Sequence, residues 1–128
     1  MKGTILAMVG LGGAIGSVAR YILAGLFQPA SWTGFPYGIF IVNVTGGLLM
    51  GIFTEAMALK FQVSPEMRAF LTTGILGGYT TFSTFSLEAG MLIQRQAYGQ
   101  AAAYVTGSAL LSIIALFIGF WLVRVVYA

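Results

Sequence analysis

The chain has 128 residues, of which 59% are hydrophobic and only 7% charged, with a mean hydropathy of +0.95. A soluble domain of this size carries about a quarter charged residues, so six basic and three acidic side chains cannot cover a water-facing surface, and the apolar excess must face lipid or another copy of the chain. Cysteine and histidine do not occur, which excludes disulfides, thiol chemistry, the usual zinc sites and histidine-based catalysis, and a formal net charge of +3 is too small and scattered for a nucleic-acid partner.

A membrane span needs about 20 mostly apolar residues. Four such stretches occur in a single domain, at about residues 4–27, 37–59, 67–94 and 101–126. The first nine residues, Met1 to Val9, have the length of a signal peptide's apolar region. The apolar run continues past them without a cleavage pattern, so they are read as the start of the first span. The connections are short, which makes consecutive helices antiparallel neighbours. Lys2, Lys60, Arg68 and Arg124 then fall on one side of the membrane and Arg95 on the other, with Arg20 inside the bilayer nearer that second side. The bias favours cytoplasmic termini by only a few charges.

Gly12 with Gly16, and Gly47 with Gly51, form GxxxG pairs on the first two spans. In lipid this spacing lets helix backbones approach closely. Gly10-Leu11-Gly12 also has the look of a dinucleotide loop, but that reading needs a preceding strand and a soluble βαβ unit. Polar residues inside spans are costly and usually paired or functional. Arg20, Asn43, Glu88 and the stripe Tyr104, Ser108 and Ser112 are the candidates, the last three sharing one helical face. Asn43 is the strongest single candidate, because its amide NH₂ is a good donor to an anion. Glu55, near the end of the second span, is expected to leave its charge in interfacial water.

The third span reads Gly77-Gly78-Tyr79-Thr80-Thr81-Phe82-Ser83-Thr84-Phe85-Ser86 at its centre. Paired glycines cost on the order of 1 kcal/mol each relative to alanine, and β-branched threonines follow at once. A helix break is predicted near residues 77–81. Carbonyls freed there must find side chains, water or an ion, and broken membrane helices use them to hold cations. Ser64 before Pro65 reads as a helix N-cap for the same span. Phe82 and Phe85 share a face after the break. As an isolated pair they would be packing residues. Among Ser83, Thr84 and Ser86 their positive ring edges make a lining that attracts a small anion without a trapping full charge.

The whole chain resembles the Fluc (CrcB) family of small fluoride channels. The resemblance is carried by Gly12-Gly13, Gly16 and Arg20, by Asn43-Val44-Thr45-Gly46, by the string from Gly77 to Ser86 with Glu88, and by Tyr104, Ser108 and Ser112. Tyr79 falls in that string at a position taken as variable. The resemblance implies an all-α membrane protein of four transmembrane helices, the third broken mid-membrane, in the multi-pass inner membrane of a bacterial or archaeal cell. It implies an antiparallel, dual-topology homodimer that conducts fluoride down its gradient and is not an enzyme. Its two pores would be lined by Asn43, Phe82, Phe85, Ser83, Thr84, Tyr104, Ser108 and Ser112, with Glu88 beside the path and Arg20 raising the potential of the vestibule. Main-chain carbonyls of Gly77 and Thr80 from both subunits would hold a structural Na⁺ that is not transported. A proton-coupled drug exporter, the first rival, needs a carboxylate on the first span, which has no Asp or Glu. A packing subunit, the second, leaves the polar stripe and the break unexplained.

Overall fold

A computed structural model describes residues 2–28 and 34–127. Part of the predicted polar connection between the first two spans, residues 29–33, lies outside the described residues. The first helix, α1, is Gly3–Phe27 and the second, α2, is Tyr37–Leu59. The third rod, α3, is continuous from Pro65 to Tyr79 in three stretches: Pro65–Arg68, the π-helical Ala69–Leu76, and Gly77–Tyr79. After an interruption at residues 80–82 the chain resumes as α4, Ser83–Gln94, and closes with α5, Tyr98–Tyr127. Helices α1, α2 and α5 have 25, 23 and 30 residues, each long and apolar enough to cross a membrane. Side chains that would be costly in water, among them Leu11, Val18 and Ile22 on α1 and Ile113, Phe117 and Trp121 on α5, lie exposed where lipid would cover them. The chain is an all-helical, multi-pass membrane protein.

Helix starts and turns follow local chemistry. Ser64 Oγ accepts the Met67 amide at 3.1 Å, with Pro65 as the first helical residue of α3. Between α4 and α5, Gln96 takes a left-handed φ of 60°, which lets the chain reverse within three residues. Glu55 does not leave its charge to interfacial water. It is paired with Arg124 and joins the ends of α2 and α5.

Two glycine seams set the packing. Gly47 and Gly51 of α2 face the backbone of α5 at Ser112 and Leu116. Gly12 and Gly16 of α1 face the π-helical part of α3. A Cβ on Gly12 would lie 2.6 Å from the Phe70 carbonyl oxygen, and one on Gly16 would overlap the Ile75 carbonyl. Gly78 belongs to the same seam, where a Cβ would sit 2.7 Å from the Gly13 carbonyl oxygen. This corrects the predicted position of the break. Gly77 and Gly78 remain helical, and the interruption, at residues 80–82, takes in only the last part of the predicted stretch 77–81. Gly78 is there for the close approach of α1, and the packing so gained outweighs its poor helix propensity.

The seam gives a direct contrast. Gly16→Ala is expected to destabilise the fold by about 1–3 kcal/mol through overpacking. Gly10→Ala, on the same helix with open space around its Cα, should be neutral or slightly stabilising. Equilibrium unfolding of the two variants in detergent micelles checks this.

Candidate functional site

The interruption is an extended step. Thr80 has φ −82° and ψ 157°, and Phe82 is back near helical values at φ −93° and ψ −31°. The Thr80 amide still closes the last turn of α3 on the Leu76 carbonyl at 3.0 Å. The Thr81 amide does not continue the ladder to Gly77. It donates instead to Asn43 Oδ1 at 2.9 Å, while Asn43 Nδ2 donates to the Thr81 carbonyl at 3.1 Å. One amide side chain of α2 thus takes both backbone groups of the residue at the break. Thr81 Oγ1 accepts the Thr84 amide at 3.2 Å and so caps the N-terminus of α4. Arg20 reaches the break from α1, with Nη1 3.5 Å from the Thr80 carbonyl oxygen.

Beside the break lies a groove of ≈ 470 Å³ between α2, α4 and α5. Of the predicted residues it brings together Asn43, Thr80, Phe82, Phe85, Ser108 and Ser112, with Gly46 and Gly47 forming part of its α2 wall. The remaining lining is mainly aliphatic, and it contains no Lys or Arg. Phe82 and Phe85 are tilted with ring centroids 5.6 Å apart. Phe82 is 78% exposed and projects from the protein at the groove's edge. Ser108 Oγ is buried and has no hydrogen-bond partner among the described residues.

Tyr104 and Glu88 sit behind Phe85 and are not part of the groove lining. Tyr104 is fully buried, its ring 5.1 Å from Phe85 and 5.5 Å from Phe35. Its hydroxyl donates to Glu88 Oε1 at 3.0 Å, and Gln28 Nε2 approaches Glu88 Oε2 at 3.4 Å. Ser83 is exposed, with its hydroxyl 3.4 Å from Thr81 Oγ1. Thr84 contributes its amide to the Thr81 cap and does not line the groove. Gly77, last but two in α3, is exposed.

Sequence reasoning missed four residues here: Thr81 as cap, Gln28 on Glu88, Phe35 on Tyr104, and Thr45, which meets the Tyr79 hydroxyl at 2.8 Å. Only Thr81 left a local signal, a threonine three residues ahead of a helical amide. The other pairings join distant parts of the chain.

Removing the Asn43 side chain would strand the Thr81 N–H and C=O inside the protein. Asn43→Ala should therefore cost about 2–4 kcal/mol of stability, read from equilibrium unfolding in micelles.

The family model described as CrcB-like protein, Camphor Resistance (CrcB), matches residues 7–120. A protein of Nitrobacter winogradskyi named fluoride-specific ion channel FluC is 48% identical over 128 residues, covering 98% of this chain and all of the relative. Proteins of the same name from Caulobacter vibrioides and a Chelativorans species are 48% identical over 124 residues and 49% identical over 119. These alignments cover 96% and 93% of this chain, and 98% and 95% of the relatives.

Proposed function

The chain belongs to the CrcB family, a family of ion channels and not of enzymes, and on that premise we propose that it is a fluoride-specific channel whose path runs through the groove beside the break. The observation that carries this reading is the character of the groove: an amide, hydroxyls and two aromatic rings line it with aliphatic side chains and no cationic one. Fluoride is small and holds its water tightly, so a path must replace that water with several donors. A full positive charge at the same place would bind the ion too tightly to release it.

The chemistry of each group supports a role. Ser108 Oγ, buried without a partner among the described residues, is a donor that an anion would satisfy. Asn43 gives one N–H to the Thr81 carbonyl and keeps a second for the groove. Ring edges of Phe82 and Phe85 carry partial positive charge. Ser112 extends the track along α5, with Tyr104 and Glu88 beside it behind Phe85. Ser83 and Thr84 follow the break on its exposed side, and Arg20 adds positive potential near the Thr80 carbonyl. Flow is down the electrochemical gradient, which lowers cytoplasmic fluoride, in the inner membrane of the cell.

The same reading includes two copies of the chain in an antiparallel, dual-topology homodimer with two paths. Phe82, exposed at the rim, would then complete a lining shared between copies. The break also suits a structural Na⁺ held by main-chain oxygens. The extended Thr80 turns its carbonyl out of the helix, and the Thr81 amide is diverted from Gly77 to Asn43. The Gly77 oxygen is thereby released, the Thr80 oxygen keeps only the long contact from Arg20 at 3.5 Å, and such hard donors fit Na⁺. One chain supplies two, so a second would contribute the rest. When bound, the ion would supply a fixed positive charge near the path.

Purified protein in liposomes is expected to release fluoride and to retain chloride. Absence of fluoride flux from well-folded protein would end the channel reading. Phe82→Ile and Phe85→Ile are each expected to lower fluoride flux by about tenfold or more, equivalent to roughly 1.4 kcal/mol at the rings, without loss of the folded protein. Wild-type flux in both would assign the rings to packing.

A further inference from the structure

The groove's shape depends on how α3 enters the break, and one residue at that point has no part in the lining. Tyr79 is the last helical residue of α3, is 7% exposed, and does not line the groove. Its hydroxyl meets Thr45 Oγ1 of α2 at 2.8 Å. The direction of that bond follows from proton counting. Thr45 has one hydroxyl proton, and its Oγ1 lies 2.7 Å from the Ile41 carbonyl and 3.1 Å from that of Val42. The proton goes back to its own helix, so the Thr45 oxygen accepts and Tyr79 donates.

The neighbouring contacts place this bond at a hinge. Gly46, the next residue of α2, presses on the Thr80 side chain so closely that a Cβ there would overlap it, and the Tyr79 ring lies alongside. Asn43, two residues before Thr45, holds the backbone of Thr81. One short stretch of α2, residues 43–46, therefore grips the chain on both sides of Thr80. Beyond Thr80, whose amide and hydroxyl both close on the Leu76 carbonyl, the Thr81 amide leaves the i→i−4 ladder for Asn43, so the ladder does not fix how the two half-helices are turned. The third hold on the step, from Arg20 to the Thr80 carbonyl, is long at 3.5 Å and correspondingly weak.

We propose that Tyr79 is a positioning residue for ion passage: its hydroxyl, held by Thr45, sets the rotation of the last turn of α3 and so the placement of Thr80, Thr81 and Phe82 at the groove. The functional part rests on the channel reading above. The alternative is that only the ring matters, filling space against Gly46, and phenylalanine would then serve equally well.

Four variants separate these: Tyr79→Phe, Thr45→Val, Thr45→Ser and the double variant Tyr79→Phe/Thr45→Val. Each is reconstituted in liposomes for fluoride efflux and followed by amide hydrogen exchange over residues 76–86. Tyr79→Phe is expected to speed exchange at residues 80–82 and to lower fluoride flux about three- to tenfold, the range set by one net hydrogen bond. Thr45→Ser keeps the acceptor and should match the wild type. Thr45→Val strands a buried tyrosine hydroxyl and should be more impaired than Tyr79→Phe. In the double variant nothing is stranded, and flux should return to the Tyr79→Phe level.

Wild-type exchange in Tyr79→Phe, or equal behaviour of Thr45→Val and Thr45→Ser, would overturn the latch. Faster exchange with wild-type flux would overturn its role in ion passage. A wild-type protein that passes no fluoride would refute the channel reading and the positioning role with it. The exchange comparison would still decide whether the hydroxyl holds the break.

Discussion

A peptide group that leaves its helix inside hydrocarbon has no water to turn to, and it must be satisfied by the protein itself. The break at residues 80–82 meets that demand chiefly through Asn43, whose amide is the only common side-chain form able to give and receive at one peptide unit with matched spacing. Its two bonds to Thr81 allow the chain to step out of one helix and start another without an orphaned donor or acceptor on that residue. The rest of the centre follows. Because Thr81 is held, its hydroxyl is free to cap α4. Because α4 starts there, Phe82 and Phe85 are aimed at the groove and its rim.

The groove gains its character from what α2 and α5 leave out. Gly46 and Gly47 put no side chain on the α2 wall, and α5 lines the same groove with the small residues Ser108, Ala109 and Ser112. Gly47, which brings α2 against α5 at Ser112, and Gly46, which lets α2 close on Thr80 and the Tyr79 ring, thus shape the wall beside the break. Charge is kept near the groove but out of it. Arg20 lies 3.5 Å from the Thr80 carbonyl, and Glu88 is enclosed by Tyr104 and Gln28 behind an aromatic wall. What faces the space is a set of partial charges, each weak enough to be exchanged for the next.

Much of this was legible in the sequence, and the reasons for the remainder are physical. Apolar runs of span length predict helices in lipid because nothing else satisfies their backbone. GxxxG pairs predict close seams because only a missing Cβ permits them. The predicted break, residues 77–81, began too early because Gly77-Gly78 reads as poor helix material in isolation. Packing against Gly13 overrides local propensity, and the interruption falls where β-branched Thr80 adopts an extended conformation it tolerates well. Asn43 stood out as a polar residue in a span, but its partner 38 residues away did not. Likewise Gln28 and Glu88, separated by 60 positions, are joined only by the way α1 lies against the rest of the bundle. Composition shows that a polar group in lipid needs a partner, whereas the identity of the partner is a property of the fold.

The case for a second copy rests on polar atoms more than on exposed apolar ones. Apolar side chains gain little by leaving lipid for protein, since acyl chains are equally apolar. The exposure of Leu11, Phe117 or Phe82 therefore creates no demand for a partner. Around the break the balance differs. Gly77 and Ser83 are exposed, and the Thr81 amide, diverted to Asn43, does not close on Gly77. The Ser83 hydroxyl has only the long contact to Thr81 Oγ1 at 3.4 Å, and a carbonyl or weakly held hydroxyl left against acyl chains costs free energy that no lipid contact returns. Covering them with a second break, an ion or a water-filled space removes that cost. On the proposed reading all three lie together, at the least helix-like part of the chain.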